Sequence, residues 1–223
     1  PRASAGPRMR RWRILSRVWR FLSALGWMGA VAASALLAWV AFFQEPQVTT
    51  LTTIRIESLS WPENAAPVRV DIHVDGIHMT AERVRGMAEA VTLMAPDVIL
   101  LGGDYIGGLG TQSQYRWTSR PRRSARDIGR DEAALRALGQ LRARYGTFAV
   151  MGNHDHWSDA AAIRKMLRRA RITILDNQAV RVGPVAIGGV DDDFTAHADI
   201  NAVTGQLKKL GGVPILLSHS PDI

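Results

Sequence analysis

From Phe21 to Phe43 the chain is apolar on every side: FLSALGWMGAVAASALLAWVAFF carries no charge and is interrupted only by Ser23, Gly26, Gly29 and Ser34. As a helix rising about 1.5 Å per residue, this run reaches roughly 35 Å, enough to cross a hydrocarbon core of about 30 Å. The pattern predicts a transmembrane helix over 21–43. A core helix is seldom apolar all round at this length, and a signal peptide, the rival reading, has an apolar region of about 7–15 residues.

Beyond it the periods shorten. Residues 44–67 are polar and β-prone, with Ile54, Ile56 and Leu59 alternating before Pro62 and Pro67, and predict a linker with one edge strand. Val68–Val74 then predicts a strand, and Thr80 caps a helix whose Val84, Met87, Ala88, Val91 and Ala95 recur at helical spacing. Val98–Leu101 is a fully apolar strand, followed by a long loop to about Arg126 and a helix marked by Leu135, Leu138 and Leu141. Thr147–Met151 is the next strand, and Ser158 caps a helix through Ile163, Met166, Leu167 and Ala170. A strand at Ile172–Leu175, a hairpin around Gly183-Pro184, a short helix near Ile200–Leu207 and a strand at Val213–Leu217 complete the series. Strands alternating with helices predict an α/β fold with parallel stretches of sheet.

Charge sharpens the topology. The 223 residues carry a net +8, yet Arg2, Arg8, Arg10, Arg11, Arg13, Arg17 and Arg20 all precede the apolar run, and no acid comes before Glu45. Removing those seven from 28 basic residues leaves 21 against 20 acidic ones. The body is nearly neutral, so no nucleic-acid partner is expected. Residues 1–20 read as a basic cytoplasmic flank, which sends the chain beyond Phe43 to the periplasm or cell exterior. The predicted location is the inner membrane, single-pass. Zero Cys excludes a disulfide scaffold and thiol catalysis.

Four polar clusters follow apolar runs directly: Asp71-Ile72-His73, Gly103-Asp104, Gly152-Asn153-His154-Asp155 and Ser218-His219. In open α/β sheets, ligands collect at the carboxyl ends of the strands. Carboxylate, amide and imidazole donors suit Zn, Mn and Fe, and a carboxylate such as Asp104 can bridge two ions about 3.5–4 Å apart.

In this order the clusters resemble the calcineurin-like metallophosphoesterase superfamily, whose pattern is D-x-H, G-D, G-N-H-D/E, H and G-H-x-H; four of the five blocks are present over roughly 68–223. The DIHVDGIHMT segment, GVDD at Gly189–Asp192 and the apolar run look like the membrane-associated bacterial branch, some members of which act on phospholipids or nucleotide-sugar lipids. The resemblance implies a metallophosphoesterase-type β-sandwich flanked by helices. It implies two divalent metal ions, Mn, Fe or Zn, with Asp71 and His73 on the first, Asp104 bridging, and Asn153 and His219 on the second. His154 would stabilise or protonate the phosphate's leaving group, tuned by Asp155, while a metal-bound hydroxide attacks. The substrate would be a phosphate ester or pyrophosphate, lipid-linked esters included, and the membrane a partner.

Two departures qualify the match. G-H-x-H is absent, since Ile223 comes four residues after His219, and Val70 stands where the family usually has Ser. The first residue is Pro1 rather than Met, and no closing element follows Leu217. Both ends therefore read as incomplete, with 68–223 a domain lacking its C-terminal part and impaired in metal binding. A non-catalytic membrane-tethered binding module is the alternative. His78 and His156 flank the blocks as supporting groups or loop residues, His197 reads as structural or exposed, and Asp191-Asp192-Asp193 as a turn with a helix cap. The Arg116–Arg130 stretch, six arginines with Tyr115 and Trp117, reads as a solvated loop or a phosphate-holding one.

Overall fold

The computed structural model describes residues 7–41, 52–73, 80–106 and 125–223. The chain divides into two units, 1–53 and 54–223. In the first, helix α1 (Pro7–Trp39) opens on a proline, whose fixed φ and missing N–H suit a helix start. Its stretch Arg17–Trp39 is long and apolar enough to cross a membrane, and its side chains are exposed. The helix thus takes in much of the basic flank and ends four residues before Phe43.

The second unit is built on two sheets. Strands β1 (Val70–His73), β2 (Val98–Leu101), β3 (Thr147–Ala149) and β4 (Thr173–Ile174) form a parallel sheet in that order. Strands β5 (Gln178–Val182) and β6 (Val185–Gly189) form the expected hairpin, and β7 (Val213–Leu217) pairs parallel to β6. Along β2, Ile99 and Leu101 join a core with helices α2 (Ala81–Leu93), α3 (Ala125–Leu138) and α5 (Ala160–Arg169). Val98 and Leu100 face the other way, into a core shared with Val185, Ile187, Val213 and Leu217 of the second sheet. This period of two is why a strand buried on both faces reads as continuously apolar. Helix α6 (Ile200–Leu210) covers the second sheet: a Cβ on Gly188 would meet Val203 and Leu207. The order of layers is helix, sheet, sheet, helix.

Several local expectations shift. The alternating Ile54, Ile56 and Leu59 form no strand, and all three are exposed; alternation yields a strand only where an edge accepts it. Thr80 does cap α2, accepting the Arg83 N–H at 3.2 Å. A separate short helix, α4 (Asn153–Ser158), consumes Ser158, so Asp159 caps α5 through the Ala162 N–H. Helix α6 is capped by Asp199 rather than by the acidic triplet. Helix α3 starts at Ala125, within the expected loop; His78 and residues 107–124 of the arginine-rich stretch lie outside the described residues.

Candidate metal centre

Because β1, β2 and β3 are parallel, the segments carrying Asp71-His73, Asp104 and Asn153 reach one edge of the first sheet. His73 is in register with Leu101, three residues before Asp104. The Asp71 and His73 side chains lie outside the described part of the structure. β7 delivers His219 from the second sheet, so the centre is assembled across the two.

Close backbone approach makes this possible. Gly103 has φ +100°, and a Cβ there would lie 2.7 Å from the Gly152 nitrogen and 2.9 Å from His219 Nδ1. A Cβ on Gly152 would lie 2.3 Å from Asp104 Oδ1. Asp104 itself is left-handed, at φ +57°, a conformation Asp tolerates better than most residues.

Asp155 holds the turn in that shape. It is fully buried; its Oδ2 accepts the N–H groups of Gly152 and Asp104, and its Oδ1 that of Tyr105, each at 2.9 Å. Burial pushes its carboxyl up to about 7, with the Asp104 charge adding to the rise and the amide donors opposing it. The described contacts of Asp155 run to backbone rather than to the His154 ring. Tyr105 completes the support, its hydroxyl donating to the carbonyls of Val150 at 2.9 Å and Leu101 at 3.2 Å.

Three lone-pair donors converge in front of this scaffold. The Gly102 carbonyl lies 2.8 Å from His219 Nδ1, and a carbonyl only accepts, so Nδ1 carries the proton and the neutral ring keeps a lone pair on Nε2. That Nε2 lies 3.1 Å from Asn153 Oδ1 and 3.5 Å from Asp104 Oδ2. Nitrogen, amide oxygen and carboxylate oxygen thus face one another, an arrangement that calls for a cation between them or a second imidazole proton. This donor set fits a divalent metal. Among the described residues no three His, Asp or Glu side chains form such a group by themselves; here the third donor is an asparagine.

His154 is placed beside the donors. Its N–H donates to Asp104 Oδ1 at 3.0 Å, and its Nε2 stands 4.0 Å from Asp104 Oδ2.

Behind α4 lies a network the sequence did not announce. His156 Nε2 is 2.8 Å from Asp191 Oδ1. Arg164 bonds Asp191 Oδ2 at 3.1 Å and Asp176 through Nε at 2.8 Å and Nη2 at 3.3 Å. His197 stacks on His156 with centroids 4.0 Å apart. Asp191 is therefore a buried partner of Arg164 and His156, and Asp192 closes the turn. Only the adjacency of His156 to the Gly-Asn-His-Asp block hinted at this, since its partners are distant in sequence.

No family model matches the chain. Curated relatives do. It is 29% identical to the uncharacterized metallophosphoesterase YkoQ of Bacillus subtilis over 69% of this chain and 52% of that protein. It is 26% identical to the uncharacterized metallophosphoesterase YkuE of the same organism, over 88% of this chain and 68% of that one. A transmembrane protein with metallophosphoesterase domain from Bos taurus is 24% identical over 86% of this chain and 44% of its own length. The chain spans about half the length of the curated relatives it matches. Similarity over most of this sequence to metallophosphoesterases from bacteria to vertebrates supports the resemblance to the calcineurin-like metallophosphoesterase superfamily.

Proposed function

We propose that the protein is a metal-dependent phosphoester hydrolase of the membrane-associated bacterial branch, held at the inner membrane by α1. The observation that carries this reading is the convergence of His219 Nε2, Asn153 Oδ1 and Asp104 Oδ2, three acceptors with no donor among them when the imidazole is neutral. In the reading, Asp71, His73 and Asp104 hold one divalent ion and Asp104, Asn153 and His219 a second. Such ions, Mn, Fe or Zn, supply the Lewis acidity that activates water and offsets phosphate charge.

The protein's own groups do the rest. Asp155 and the two glycines fix Asp104 in its strained conformation before any substrate arrives. His154, its backbone pinned to Asp104, keeps its ring free to give a proton to the departing oxygen of the ester, a role worth about 10²–10⁴-fold in rate. The substrate is a phosphate ester or pyrophosphate, and the anchor brings lipid-linked esters within its reach. The N-terminal arginines support a catalytic unit outside the cytoplasm; a reporter active only outside the cytoplasm, fused after Ile223, is expected to be active, and a stable but inactive fusion overturns that orientation.

The function is tested on purified protein supplied with Mn, Fe or Zn and an aryl phosphodiester. Turnover is expected, and its loss on His154→Ala or Asp104→Ala. Turnover that survives both substitutions refutes the assigned roles, and metal binding without any turnover favours a tethered binding module.

A further inference from the structure

Two exposed aromatic rings stand beside His154. Trp157 lies three residues on along α4, its ring 5.2 Å from the His154 ring and tilted by 56°. Phe194, in the turn after β6, meets Trp157 nearly at a right angle, with centroids 5.6 Å apart and planes at 80°. Trp157 is 40% exposed and Phe194 74%. Core packing is not what holds these rings in place.

Their backbones are nonetheless fixed. His156, next to Trp157, is tied to Asp191. The Phe194 turn is closed by Asp192, whose Oδ2 accepts from the Thr195 N–H at 2.8 Å and the Thr195 hydroxyl at 2.6 Å, and by the His197 N–H donating to the Asp192 carbonyl at 2.9 Å. The stacking of His197 on His156 joins the two segments. Exposed rings on a prearranged backbone bind a ligand with little ordering cost.

The polar groups beneath them are already paired with one another. Asp191 is shared by His156 and Arg164, and Arg164 also holds Asp176. The rings therefore offer π surface over a base whose charged groups already have partners. In the phosphoesterase reading the phosphate would lie by Asp104 and His219, and Trp157, beside His154, would be within reach of the group the phosphate carries.

We propose that Trp157 and Phe194 form a shelf that binds a planar aromatic ring carried by the phosphate ester. The proposal rests on the phosphoesterase reading and names its substrate class. Two rings near a right angle form a corner in which a third ring stacks on one and offers its edge to the other, both favoured geometries. A flexible acyl chain gains only buried area there.

Calorimetric titration of the Mn-loaded protein in detergent with phenyl-, hexyl- and methylphosphonate tests the shelf without requiring turnover. Phenylphosphonate is expected to bind about tenfold more tightly than methylphosphonate, and more tightly than hexylphosphonate. Trp157→Ala and Phe194→Ala should each bring the phenyl-to-methyl ratio to within about twofold of unity, while Trp157→Phe, which keeps an aromatic ring, retains most of it. Equal affinity for phenyl and methyl, preference for hexyl, or no measurable binding of any of the three overturns the proposal. Hydrolysis of a phenyl phosphodiester, followed in parallel, separates the two readings. A phenyl preference without turnover leaves the shelf and removes the hydrolase; turnover without a phenyl preference does the reverse.

Discussion

Replacing Asp155 tests whether the catalytic turn is held by one buried carboxylate. In Asp155→Asn the amide oxygen can take the Oδ2 position and keep the Gly152 and Asp104 N–H bonds. The NH₂ group then meets the Tyr105 N–H, donor against donor. One buried unsatisfied amide costs about 1–3 kcal/mol. Asp155→Ala orphans all three amides and costs about 3–9 kcal/mol on the same scale, a large share of the roughly 5–15 kcal/mol that holds a typical domain. Urea unfolding in metal-free buffer reads both variants. The reasoning fails if Asn lies within about 0.5 kcal/mol of wild type, the usual range for surface substitutions, or if Asn costs as much as Ala. The dependence on pH gives a second reading. Burial raises this carboxyl from 3.8 to about 7, so the native state binds the extra proton between those values and wild type loses stability, relative to Asp155→Asn, as pH rises through that window. A protonated carboxyl still has a lone pair on each oxygen to accept an amide, as the NH₂ of Asn does not, so the order of the variants holds at pH 5 as well.

Two further outcomes follow from the geometry. Gly152→Ala puts a methyl group 2.3 Å from Asp104 Oδ1; the displaced carboxylate should weaken Mn binding at least about tenfold by calorimetry, as expected where a ligand's position is lost, and unchanged affinity would show that the close approach is dispensable. Removing residues 1–41 should shift the protein from the membrane to the soluble fraction, while the unit 54–223 keeps its melting temperature. Persistent sedimentation with membranes would refute anchoring by α1.

Much of the fold was legible because buried parallel strands announce themselves. Val98–Leu101 is apolar on both faces, since one face meets helices and the other a second sheet, and a glycine or polar turn follows directly. Thr80 was readable as a cap because its role depends on a partner three residues away. Ile54, Ile56 and Leu59 show where local pattern stops, because alternation does not say whether a neighbouring edge is open. The site divides in the same way. Asp104, Asn153, His154 and His219 stand out by adjacency to glycine and strand ends. The work of Asp155 was not legible, because two of its three amide partners lie about fifty residues away. Nor was the aromatic corner, since Trp157 and Phe194 are separated by a helix and three strands of chain and meet only in the folded unit.

The packing of the two sheets links metal binding to stability. Asp104 and Asn153 are delivered by the first sheet and His219 by the second, and their three lone pairs repel unless a cation or a second imidazole proton sits among them. A metal bound there bridges the sheets and stabilises the native state by mass action, about 2.7 kcal/mol at a hundred times the dissociation constant. For a unit of this size each kcal/mol moves the melting temperature by about 2–4 °C, so saturating Mn should raise it by about 5–10 °C. His219→Ala removes the second sheet's contribution, and the increment should shrink to less than half. It also removes one of the mutually repelling acceptors, so the metal-free variant loses less stability than deletion of a half-buried imidazole would otherwise cost. If Mn stabilises the variant as much as wild type, the cation does not bridge the sheets through His219, and the donor set assigned here is wrong.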